Sequence, residues 1–194
     1  MKPELVIVLL AALGLSGCGR SDAGSDACAC AAAPVVDAAL LAFLSKARAA
    51  HHQADLAQDD GNLELAITAL DGVVRGPRPT TASGERGPEV AEVLADTRAR
   101  LADLRSDLGD FPLALRDVDD GLALATRPTH FRGHLFETRG VVLERQARAL
   151  DARGEVQGAA RAKSDALDAF DAAIKIQDQV ITEALSGDAG RPGR

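Results

Sequence analysis

Gly109-Asp110-Phe111-Pro112-Leu113-Ala114-Leu115-Arg116-Asp117-Val118 decides how the chain folds, because the same pattern stands 48 residues earlier. There it reads Gly61-Asn62-Leu63, then Ala66-Ile67, then Leu70. Both segments run Gly, an Asp or Asn that can cap a helix, a large apolar residue, and a small Ala three positions on. Gly permits a tight turn between helices. The large residue wedges the pair apart at the turn, and the Ala lets two helices approach closely. A third copy begins at Gly154-Glu155-Val156 with Ala159-Ala160.

Working outward, each glycine is flanked by an amphipathic stretch. Val36, Leu40, Phe43, Leu44 and Ala47 recur at helical spacing before the first. No strand alternation is visible from Pro34 onward, and Ala, Leu, Arg, Asp and Glu dominate, most of which suit helices. Gly76 to Pro88 reads as a loop, with Pro88 placed for the first turn of the next helix, and Thr129 can cap the helix after Pro128. The expectation is an all-α domain over 34–186, built from three antiparallel hairpins: 34–58 with 62–75, 89–108 with 111–126, and 130–152 with 155–185. Residues 187–194 are expected to be a disordered tail. In the third hairpin Arg139-Gly140 and Ala169-Phe170 match the repeat about two turns away from the glycine. Both arms there are expected to be longer by equal amounts.

The repeated pattern resembles the tetratricopeptide repeat, which implies an α-solenoid of about three hairpins. The spacing of 48 and then 45 residues exceeds the usual period of about 34; the loop 76–88 and the long third arms account for the excess. In that family the first helix of each hairpin lines a concave surface that holds peptides. Carried over, the resemblance places Arg48, His51 and Asp55, then Asp96, Arg100 and Asp103, then His134, Glu137 and Glu144 on a partner-binding groove. The set is mostly acidic and lacks the Lys and Asn clamp of chaperone-binding members. Charge complementarity then favours a basic or neutral segment.

The N-terminus reads as an address. Lys2 precedes an apolar run from Leu5 to Leu15, interrupted by one Gly. Eleven helical residues reach about 16 Å, half a bilayer core, which fits a signal peptide over 1–17 better than a membrane span. The run ends in Leu15-Ser16-Gly17-Cys18, which resembles a bacterial lipobox. The resemblance implies lipidation of Cys18 and a membrane-anchored lipoprotein facing the periplasm. Gly19 in place of Asp favours the outer membrane. Residues 18–33 then form a flexible tether of small and polar residues.

Composition removes other classes. The 194 residues carry 29 acids against 22 bases, a net charge of −7, with five Phe and neither Tyr nor Trp. Nucleic-acid binding lacks both its positive field and its stacking rings. No Walker loop, HExxH, CxxC or GxSxG motif is present, and no cofactor or metal site is expected. His130 and His134 stand at i, i+4 without a third ligand. His51 and His52 point about 100° apart on a helix. Asp117, Asp119 and Asp120 fail the spacing of a calcium loop and are expected on a solvated helix face. The leading expectation is a non-catalytic envelope adaptor that binds a protein or peptide partner. The alternative is a metal- or redox-responsive lipoprotein using Cys28, Cys30 and the histidines.

Overall fold

A computed structural model describes residues 37–80, 84 and 87–188. The signal peptide, Cys18, the tether with Cys28 and Cys30, and the tail beyond Asp188 lie outside them. The described residues form six helices and no strand: α1 (Ala38–Asp59), α2 (Leu63–Val74), α3 (Pro88–Asp107), α4 (Phe111–Leu124), α5 (His130–Ala152) and α6 (Val156–Asp188). The domain is therefore all-α, with helix boundaries close to those read from the sequence.

Local chemistry sets the ends. The side chains of Asp37, Asn62, Asp110 and Thr129 each accept a bond from a backbone N–H in the first turn of the helix they precede. Pro88 opens α3, where its missing N–H costs nothing. The turns at Gly61, Gly109 and Gly154 repeat one geometry. Each glycine has φ between 73° and 79°, and the residue after it donates to a carbonyl five positions back: Asn62 to Ala57, Asp110 to Arg105, Glu155 to Leu150. A side chain at this φ would be strained, which is why glycine stands there each time.

These turns fold α1 on α2, α3 on α4 and α5 on α6, and successive pairs then pack through α1, α2, α3, α4 and α5, with α3 touching four neighbours. Between the first two pairs Ala54, Ala57, Ala66, Leu70, Val74, Leu101 and Leu104 form one apolar cluster. Between the second and third, Ala102, Ala114, Val118 and Val142 form another. Alanines supply five of these eleven residues and let the backbones lie close. A Cβ on Gly121 would come within 2.5 Å of Leu135, and one on Gly140 within 2.6 Å of the Phe170 ring.

Two expectations need correction. The extra length of the third hairpin is not shared between its arms. α5 has 23 residues against 22 in α1, whereas α6 has 33 against 14 in α4. The register of Gly133 on Gln177 and Gly140 on Phe170 sets the start of α5 opposite residue 180 and leaves about the last eight residues of α6 beyond it. α6 also runs two residues into the segment expected to be tail.

Candidate functional site

The first helices of the three pairs, α1, α3 and α5, bring most of the expected groove residues onto one polar face. His51 and Thr97 meet at 3.1 Å. The Thr97 hydroxyl donates to the Val93 carbonyl at 2.8 Å, so its oxygen is left to accept, and His51 presents its proton on Nε2. Asp96 stands 4.0 Å from the same nitrogen. One turn further along, Arg100 donates to Asp55 at 3.1 Å and to Gln58, and lies 3.9 Å from Asp103. Arg145 of α5 then donates to the Asp103 carboxylate at 2.7 Å and to its carbonyl at 3.1 Å, and pairs with Asp107 at 3.1 Å. The result is a ladder of alternating charge, Asp55–Arg100–Asp103–Arg145–Asp107, crossing three helices.

The ladder changes the expected character of the face. Asp55 and Asp103 are not open acids but partners of Arg100 and Arg145. Glu144 is turned to Arg148, its own i+4 neighbour. Arg48 is exposed on α1. His134 and Glu137 face each other at 3.4 Å, and they border a cleft of about 190 Å³ between α3 and α5 with Arg100, Asp103 and Thr138. Glu137 also borders a larger apolar cleft of about 500 Å³ against Phe170, Ala173 and Ile174. Asp96 and Glu137 are thus the acids of this set that meet a histidine and no arginine.

Arg145 and Asp107 were missed by the sequence reading. A signal existed: Arg145 stands 45 residues after Arg100, the spacing between the second and third repeat glycines. Carrying Arg100 forward by that step names it.

A second polar cluster lies on the other side of α3. Asp117, expected on a solvated face, is 1 % exposed. Arg98 and Arg105 both donate to it, and they reach on to Asp120 and Asp71 at 3.1 Å. The helix register puts Asp117 on the α3 side of α4 beside Ala114 and Gly121, a placement its acidic neighbours concealed. Burial pushes its carboxyl above the ordinary 3.8, against the opposing pull of the two guanidiniums. This cluster ties α2, α3 and α4 together.

His130 and His134 stack with ring centroids 6.2 Å apart. Among the described residues, no group of three or more His, Cys, Asp or Glu could hold a metal ion, and no helix is long and apolar enough to cross a membrane. No family model, curated protein or solved structure matches the chain.

Proposed function

We propose that the chain is a lipid-anchored bacterial envelope protein whose tetratricopeptide-like helical domain binds a protein or peptide partner without catalysing a reaction. The observation that carries this reading is the polar face of α1, α3 and α5. Each helix pair contributes its first helix and charged side chains to it, and α3 and α5 border a shallow cleft there. The ladder fixes the helices and leaves Asp96 and Glu137 to meet a partner, which favours a basic or neutral segment. The lipobox-like Leu15-Ser16-Gly17-Cys18 supports attachment to the membrane, with Gly19 favouring the outer one.

Crosslinking in living cells, with partners identified by mass spectrometry, tests the reading. Wild type is compared with an Arg48→Ala/Asp96→Ala/Glu137→Ala variant, which leaves the ladder intact. A specific envelope partner captured by wild type and lost from the variant is the expected result. Capture of the same partner by both moves the contact off this face, and the absence of any partner overturns the adaptor reading. Cys18→Ala is expected to shift the protein out of the membrane fraction; a variant that still sediments with membranes overturns the lipid anchor.

A further inference from the structure

Two glycines on α5 set the geometry of its contact with α6. Gly133 and Gly140 stand seven residues apart, about two turns along one face of the helix. A Cβ on Gly140 would come within 2.6 Å of the Phe170 ring, and one on Gly133 within 2.6 Å of the Gln177 amide. Phe170 and Gln177 are therefore seated directly on the α5 backbone. Gln177 is tied there, its amide donating to the His130 carbonyl at 3.4 Å. The same antiparallel register places Ala173 opposite Glu137, between the two glycine seats. Ala173 offers only a methyl group, so the space between Phe170 and Gln177 stays open as the cleft of about 500 Å³. Ile174 and Asp178 border it from α6, and Glu137 borders it from α5.

This cleft joins apolar surface to an acidic rim. Phe170, Ala173 and Ile174 supply the carbon surface, Glu137 and Asp178 supply carboxylates, and none of the lining residues is a lysine or arginine. Glu137 meets His134 at 3.4 Å with its side chain 59 % exposed. Among the described residues neither acid is paired with a lysine or arginine. Other clefts of the domain differ in this respect. Those bordered by Glu92, by Asp103, and by Asp165 and Asp168 each include an arginine of the chain itself: Arg127, Arg100 and Arg139. Carboxylates beside apolar surface match one kind of side chain. Lysine and arginine lay a hydrocarbon stem on apolar surface and carry their charge at its end. A wholly apolar side chain would desolvate the two acids without a counter-charge, and an acidic one would be repelled.

We infer that this cleft receives one lysine or arginine side chain of the bound partner segment, with its stem along Phe170, Ala173 and Ile174 and its cation toward Glu137 and Asp178. The position of the cleft supports this. Glu137 also borders the smaller cleft lined by Arg100, Asp103 and His134, so a segment that crosses the α1–α3–α5 face passes over Glu137 into the larger one. Recognition then extends onto α6, a second helix of its pair, and Asp178 becomes a residue that selects the partner. The inference rests on the reading that this face binds a protein or peptide segment. It adds which side chain that segment carries and where that side chain is held.

The test uses the purified full-length protein and a library of random twelve-residue peptides displayed on phage. Peptides selected by wild type are expected to share one lysine or arginine. In a synthetic copy of a selected peptide, glutamine at that position is expected to weaken binding about tenfold by fluorescence polarisation. Asp178→Lys, at an exposed position that leaves the fold intact by circular dichroism, is expected to weaken the basic peptide at least about tenfold. A charge swap then locates the contact: Glu137→Lys/Asp178→Lys is expected to prefer the same peptide with glutamate in place of its basic residue. Selected peptides that lack a basic residue overturn the inference. Peptides that are lost from Arg48→Ala/Asp96→Ala but are indifferent to Asp178→Lys overturn it as well, and leave the reading of the face standing. Selection of no peptide overturns the inference together with that reading. Dimerisation of wild type that Asp178→Lys abolishes, measured by sedimentation, would give the cleft to a second copy of the chain and also overturn the inference.

Discussion

Asp117 is the side chain on which most of the buried charge turns. Its two oxygens, themselves almost sealed from water, hold the partly exposed side chains of Arg98 and Arg105. Asp117→Ala removes both acceptors, and the expected loss of unfolding free energy is about 3–5 kcal/mol. Asp117→Asn keeps one oxygen as acceptor and costs less. The sign with pH follows from the direction of the shift. Because burial raises the folded-state value, the folded protein holds a proton that the unfolded chain releases. The contribution of Asp117 is fully present below 3.8 and falls as pH rises through the raised value. The margin of wild type over Asp117→Asn therefore narrows with rising pH, which urea unfolding at a series of pH values between about 3 and 6 reads directly. A margin that widens instead would show that the two arginines outweigh burial.

At the scale of the element, glycines separate helix propensity from helix packing. Gly72 lies exposed within α2, and a Cβ there meets nothing within 4 Å. Gly72→Ala is expected to raise stability by about 0.5–1 kcal/mol, since alanine removes the backbone freedom that glycine loses on folding. Gly121 lies within α4, where the same methyl group meets the fully buried Leu135 at 2.5 Å and the Arg98 Cβ at 3.3 Å. Gly121→Ala is expected to cost about 1–3 kcal/mol through overpacking between α3, α4 and α5. Thermal unfolding of the two variants checks both signs. Equal effects would mean that the close approach of α4 to α5 contributes little.

For the whole molecule, what matters is how successive helix pairs are held in series. Apolar clusters join each pair to the next, and the ladder on the α1–α3–α5 face spans all three. Arg145 is the link between the second and third pairs, with its side chain 29 % exposed. Solvent screening keeps the expected loss for Arg145→Ala to about 1 kcal/mol, smaller at high salt. Denaturant unfolding in low and high salt measures it. A salt-independent loss would assign the effect to packing of the arginine stem.

The repeat at Gly61, Gly109 and Gly154, with Asn62 and Asp110 behind the first two, determined by itself that the described residues form helix pairs and where each pair turns. That information is local: φ at one glycine, one capping oxygen and a 3.6-residue apolar period act within a few residues of the chain. The groove was legible in part. Arg48, His51, Asp55, Arg100 and Asp103 could be placed on one face from register, and the repeat spacing points to Arg145, but which of these side chains pair with one another was decided by the packing of α1, α3 and α5. Only the tertiary structure decided that Asp117 is buried while Asp120, three residues on, is half exposed. Both are acids on one helix, and the difference is which of them faces α3. It likewise decided that the length added to the third pair falls on α6, and that Ile174 and Ile181 face outward while Ala169 and Ala173 face α5. Sequence fixes the period of an apolar face; packing against neighbours decides which part of that face is covered and which is left open.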